Sequence, residues 1–187
     1  KKLAPFLKYM IKLQINTNNH FSHGKEVMMK NLPGVFQTTK KDGTRYYRSS
    51  ITYRSKHISL GSHSCPEDAH RAYQEASCLL QQNQTFSPDD YRSFDTILPF
   101  SKWIVLINYK NNGLYIKTPI YLRNQFFHYY LSQQDVLIFD VDDLFYYSDH
   151  SIIRRGNHLF VSDYGMQVNI ASRYGIKNFA VEGRDFL

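Results

Sequence analysis

Cysteine is scarce: Cys65 and Cys78 are the only two in 187 residues, too few for a disulfide framework or a four-thiolate metal site. Long apolar runs are missing as well. The longest, Trp103 to Ile107 and Val136 to Phe139, fall far short of the roughly 18 residues of a membrane helix. The nine glycines are scattered at turns, which leaves no glycine-rich phosphate loop. Lys8 and Lys12 interrupt the first apolar stretch, so residues 1–13 do not read as a signal peptide. The chain opens on Lys1 rather than Met and reads as a trimmed product. What the sequence does have is 42% hydrophobic residues and a 16% aromatic share. That content excludes disorder, supports one or two domains with a real core, and is typical of strand-rich chains.

The net charge of +7 is unevenly placed. Residues 1–85 hold thirteen basic and five acidic groups, whereas residues 86–187 hold ten and eleven. Six of the cations, Lys40, Lys41, Arg45, Arg48, Arg54 and Lys56, fall within seventeen positions that contain a single acid, Asp42. A one-sided distribution of this kind is the electrostatic footprint of a polyanion binder. A merely solvated basic face would give the same numbers.

Along the chain, Leu3, Phe6, Leu7, Met10 and Ile11 recur at helical spacing, followed by a polar loop. Three strands are then predicted: Gly34 to Thr39, Thr44 to Arg54 and His57 to Leu60, with Asp42-Gly43 as a hairpin signal. Ser64-Cys65-Pro66-Glu67 has the pattern of a capping box. The helix it opens carries Ala69, Ala72, Tyr73, Ala76, Leu79 and Leu80 on one face, and so many alanines let it lie close to a sheet. Gln81 to Asp90 reads as a linker. Beyond it, strands are predicted at 103–109, 114–122, 136–139, 151–154, 158–162 and 167–170, with turns at Asn111-Asn112-Gly113, Gly156-Asn157 and Asp163-Tyr164-Gly165. No internal repeat of fixed period is present. The expected fold class is α+β: a three-stranded antiparallel sheet packed on one helix, plus a second strand-rich domain. The expected boundaries are a helical and loop extension at 1–32, the sheet-and-helix domain at 33–82, a linker at 83–90 and the strand-rich domain at 91–187.

Period-two alternation in the second strand puts Tyr47, Ser49, Ile51 and Tyr53 on one face and Tyr46, Arg48, Ser50, Thr52 and Arg54 on the other. The Ile51 face suits a covering helix. The opposite face is polar and basic. A narrow antiparallel sheet of this kind can enter a DNA major groove, where Arg pairs with guanine and Ser or Thr contacts bases or phosphates.

On these residues the chain resembles the DNA-binding domain of the ethylene-response-factor class (Apetala-two type), above all its bacterial and phage relatives. The resemblance is carried by Gly34-Val35, the strand YRSSI around Ile51, Ile58-x-Leu60-Gly61 and the helix EDAHRAYQEA, and covers about 45 of the 187 residues. It implies a sheet lying in the major groove with the helix behind it, and Phe36, Thr38, Tyr46, Arg48, Ser50, Thr52, His57 and Ser59 facing outward. The plant pattern has several arginines and tryptophans at such positions, so the resemblance here implies weaker or different base readout. LIFDVDDLFYYSDHSIIRRGNHLFVSDYGMQVNIASRYGIKNF resembles the strand-rich region that precedes the HNH core of homing-type endonucleases. That resemblance implies a His where Ala171-Ser172-Arg173 stands, and Asp-His and Asn-Asn segments beyond Leu187. A complete nuclease site cannot be assembled from the residues present.

Other constellations are weaker. Asp140-Val141-Asp142-Asp143 mimics the DxD start of haloacid-dehalogenase phosphatases, but the 43 residues after Leu144 cannot supply that fold, and a capped strand end explains the motif. His20 and His23 lack further ligands nearby. His57, His63 and Cys65 lack an orienting third group. The paired tyrosines Tyr129-Tyr130 and Tyr146-Tyr147 read as core before they read as a base-stacking platform. The expectation is a double-stranded DNA-binding protein of bacterial, phage or mobile-element type, acting in transcription regulation or element mobility, cytoplasmic and nucleoid-associated. No cofactor and no membrane partner are expected. Lys40, Lys41, Arg45, Arg54 and Lys56 would hold phosphates. Arg48, Ser50, Thr52 and Tyr46 would read bases, flanked by Thr38 and His57. Residues 91–187 would be a dimerisation or accessory module, a homodimer being one reading. The alternatives are a metal-dependent HNH-type endonuclease and an adaptor that binds an acidic protein through the same face.

Overall fold

The computed structural model describes residues 32–163 and 166–175. The helix expected at Leu3 to Ile11, the loop after it, and Tyr164-Gly165 lie outside the described residues. The chain is an α+β protein that divides into two compact units, Lys1–Pro99 and Phe100–Leu187.

In the first unit, β1 (Val35–Thr39), β2 (Arg45–Tyr53) and β3 (Lys56–His63) form an antiparallel sheet in sequence order, followed by helix α1 (Pro66–Gln81). The three expected strands and the helix are all present. The register fixes the two faces, because residues directly opposite one another in a ladder point to the same side. Val35, Ser49 and Gly61 share one row, and Ile51 and Ile58 another. These rows face α1, whose Ala69, Ala72, Ala76, Leu79 and Leu80 are buried. Ladder register shifts between Ser49 and Ser50, leaving Leu60 as an extra residue on β3. This bulge lets Leu60 be fully buried while β3 continues to His63, past the expected end at Gly61.

One expectation about α1 and one about the tract after it are corrected. Ser64 does not cap it: Cys65 is the N-cap and makes no side-chain cap bond, and Pro66 occupies the first helical position. The acidic half of such a box is found downstream instead, where Asp90 Oδ2 accepts from the Ser87 N–H at 2.7 Å and from its hydroxyl at 3.0 Å. That box opens a short 3-10 helix, Pro88–Ser93, inside the tract expected to be a linker. Phe86 and Pro88 are buried there, and the unit boundary falls after Pro99 rather than at 83–90. The fastening is Glu75 of α1, only 2% exposed. Its carboxylate accepts from Arg71 Nε at 2.8 Å, from the Thr96 hydroxyl at 2.6 Å and from the Ile97 N–H at 3.0 Å. Arg71 also donates to Asp95. Burial works against the Arg71 charge, but its bond to Glu75 and the two carboxylates around it raise it above the usual guanidinium range.

The second unit opens with helix α2 (Phe100–Asn112) where a strand was expected at 103–109. Trp103 to Tyr109 are all buried. A continuous apolar run buried on every side has no amphipathic period to separate helix from strand. Asn111-Asn112-Gly113 is the end of this helix rather than a hairpin. Gly113 adopts φ 74° and its N–H bonds Tyr109 O at 3.1 Å, the usual glycine role at a helix C-terminus. Only Ile120–Leu122 of the expected 114–122 strand is extended, as β4. It pairs with β5 (Phe126–Tyr130), which was not anticipated, and β5 with β6 (Val136–Asp140). A second three-stranded sheet is made of β7 (Ile152–Arg155), β8 (His158–Asp163) and β9 (Met166–Asn169). Short helices α3 (Leu144–Asp149) and α4 (Ile170–Arg173) flank these strands in sequence. Ile116, Ile120, Phe127, Tyr129, Tyr147, Ile152, Val161 and Ile170 form the core. Tyr129 OH accepts from the Ile152 N–H at 3.0 Å and so joins the two sheets. Buried Asn108 does the same for α2, donating to Leu114 O and accepting from the Leu122 N–H.

Candidate nucleic-acid interface

The sheet face turned away from α1 carries four cross-strand rows: Phe36–Arg48–Ser62, Thr38–Tyr46, Ser50–Ser59 and Thr52–His57. Phe36, Arg48, Ser62, Ser59, Thr52 and His57 are exposed, while Thr38 and Tyr46 are half-buried. Ser50 is the exception. It has the outward parity expected of it, yet it is only 8% exposed. Its N–H is held by Gly34 O at 3.0 Å where β1 begins. The base-reading role expected for Ser50 is therefore withdrawn. Ser59, opposite it on β3, is exposed in its place.

The remaining cations gather at the two ends of the sheet. Lys40 and Lys41 lie in the β1–β2 turn with Arg45 just after it. That turn closes with Gly43 N–H on Lys40 O at 3.0 Å and Lys40 N–H on Thr44 O at 2.9 Å, Gly43 taking φ 84°. This is a type I turn followed by a left-handed glycine bulge. Asp42 braces it by accepting from the Thr44 N–H at 2.9 Å, and that bond holds its carboxyl below the usual carboxylate range. Arg54 and Ser55 form the two-residue β2–β3 turn. Their φ values of 43° and 63° are those of a type I′ hairpin turn, normally reserved for Asn and Gly. Arg54 lies against the Tyr53 ring, 5.0 Å from its centroid, and Lys56 follows, exposed. Among the described residues, Lys40, Lys41, Arg45, Arg48 and Lys56 take part in no ion pair. Nine-residue β2 separates the two cationic ends by about 27 Å, and three strands are about 10 Å across. A B-DNA major groove is about 12 Å wide. The spacing of the outer strands is comparable to that width, with a charge cluster at each end and Arg48 on the outward face between them.

Two contacts on the helix side tie the start of β1 to α1. His70 Nδ1 bonds Pro33 O at 3.1 Å, and Gly34 adopts φ 77° against the Tyr73 ring of α1. Sequence reasoning identified eight outward positions but not Ser62, because the bulge that carries β3 beyond Gly61 leaves no mark in the alternation.

The second unit answers the other expectations. Ala171-Ser172-Arg173, where the resemblance implies a histidine, lies in α4, and the Arg173 guanidinium stacks 3.7 Å from the Tyr146 ring centroid. Asp140 Oδ1 accepts from the Asp142 N–H at 3.0 Å, the capped strand end expected of the DxD motif. Tyr129, Tyr130 and Tyr147 are buried in the core. His20 and His23 lie outside the described residues. Among the described residues no three His, Cys, Asp or Glu side chains converge on a common point, and no helix is long and apolar enough to cross a membrane. Compared with family models, curated proteins and solved structures, the chain matches none.

Proposed function

We propose that the first unit binds double-stranded DNA by laying the outward face of its sheet in the major groove, as a DNA-binding protein of bacterial, phage or mobile-element type without catalytic activity of its own. One observation carries the reading: a helix-backed sheet has exposed Arg48 on its polar face and a cation cluster at each end. Lys40, Lys41, Arg45, Arg54 and Lys56 contact phosphates and set register. Arg48, Thr52, His57 and the Tyr46 hydroxyl face the base edges. Fluorescence anisotropy with a labelled mixed-sequence duplex tests this. Five phosphate contacts correspond to a slope of about −4 to −5 in log K against log salt, with duplex preferred over single strand. Salt-dependent binding to an acidic protein but not to duplex would favour the adaptor reading, and plasmid nicking abolished by chelation the nuclease reading.

The second unit is read as the means of pairing two such sheets. Ile138 is 67% exposed on edge strand β6, in register with His128, and Val136 and Phe126 are exposed on the same face. An apolar edge of this kind is self-complementary about a two-fold axis, and two-fold DNA binders read paired half-sites. Sedimentation is expected to show a dimer that Ile138→Lys converts to monomer. A monomer across the micromolar range in the unaltered protein would remove this part.

A further inference from the structure

We infer that the outward face discriminates by the C5-methyl group of a pyrimidine next to a guanine, through the Phe36–Arg48 pair. The inference rests on the duplex-binding reading above and names what that site prefers. Phe36 is 56% exposed, the only large apolar side chain among the exposed residues of its four rows. It takes no part in the core, since parity turns it away from Ile51, Ile58 and α1. Its direct ladder partner is Arg48, which in turn opposes Ser62.

Cross-strand partners have Cβ atoms about 4.5–5.5 Å apart, and stacked bases are about 3.4 Å apart. Phe36 and Arg48 therefore address the same or adjacent base pairs. Guanine offers N7 and O6 to the arginine fork. A phenyl ring can form no such bonds, and the apolar feature of the major-groove edge is the C5-methyl group. Thymine always carries this methyl, and cytosine only when methylated. The alternative use of an exposed ring, stacking on an unpaired base, works through rings at successive positions, and Tyr46 in the next row is half-buried.

The test uses the full chain and anisotropy at fixed salt. One duplex has alternating T and G on one strand, and its counterpart has uracil in place of every thymine. A second, mixed-sequence duplex contains cytosines next to guanines, with and without 5-methylation. Removing the methyl is expected to weaken binding about threefold to fivefold per contacted group, and Phe36→Ala to erase the difference while keeping the salt slope. Phe36→Leu, which retains an apolar contact, is expected to keep part of it. A preference confined to T over U, or to methylated over plain cytosine, identifies which methylpyrimidine is read. Equal affinity within both pairs, with a steep salt slope, would overturn this inference and leave duplex binding standing. Absence of duplex binding at low salt would overturn both. Tighter binding of single strands, lost in Phe36→Ala, would replace methyl contact with base stacking.

Discussion

Gly34→Ala is expected to destabilise the first unit by about 2–5 kcal/mol, the sum of a left-handed backbone cost and an overpacking cost. Two separate facts meet at this residue. Its φ of 77° is one that L side chains rarely adopt, and an added Cβ would run into Tyr73 Cδ2 and Cγ and lie 2.8 Å from Tyr73 Cβ. Tyr73 has no easy retreat, because the clash reaches its own Cβ and so involves the α1 backbone position. Gly43 is the internal control. It has φ 84° but nothing within 4 Å of a Cβ, so Gly43→Ala should lose only the backbone part, about 1–2 kcal/mol. Denaturant unfolding of both variants measures the difference. Equal losses would mean that the close approach of α1 is not what requires glycine at position 34.

Arg48→Ala is expected to cut discrimination among duplexes by about 5–150-fold, the range of 1–3 kcal/mol for one bidentate base contact. Lys40→Ala should instead weaken all duplexes alike and flatten the salt slope by about one unit. The two substitutions separate the roles because the residues occupy different parts of the sheet. Arg48 is in mid-strand on the outward face, directly between Phe36 and Ser62, whereas Lys40 is in the turn at one end. Competition titrations against a panel of duplexes read the first effect, and salt titrations read the second. Unchanged affinity and selectivity in both variants would remove the sheet face from the interface.

Much of the first unit was legible because its signals are local. Asp42-Gly43 marks a hairpin, the alternation around Ile51 assigns faces, and the alanines of α1 predict a helix seated close on a sheet. The register shift that buries Leu60 and brings Ser62 outward could not be read, since a bulge is decided by packing against α1 rather than by residue type. Burial of Ser50, whose N–H is tied to Gly34 O where β1 begins, is likewise tertiary, and Ser carries no hint of it. In the second unit the apolar stretch at 103–109 satisfies helix and strand alike. Asn111-Asn112-Gly113 serves equally as hairpin turn and helix end, so one wrong element type misplaced its neighbour too. Nothing in the residues next to Glu75 announces what its carboxylate holds. Only the return of Thr96 and Ile97 to its carboxylate, about twenty residues later, makes it a buried anchor.

That anchor bears on how the chain can be divided. A piece cut at Gln82, where α1 ends and the polar tract begins, would strand a desolvated carboxylate without the Thr96 hydroxyl and Ile97 amide that satisfy it, and buried acceptors left unmet are costly. It would also strip the seats of Phe86 and Leu98, both nearly inaccessible in the intact unit. A fragment that carries the sheet and keeps these contacts therefore runs through Pro99. Grafting this sheet onto another protein means carrying those last seventeen residues with it as a clasp, even though none of them belongs to the sheet.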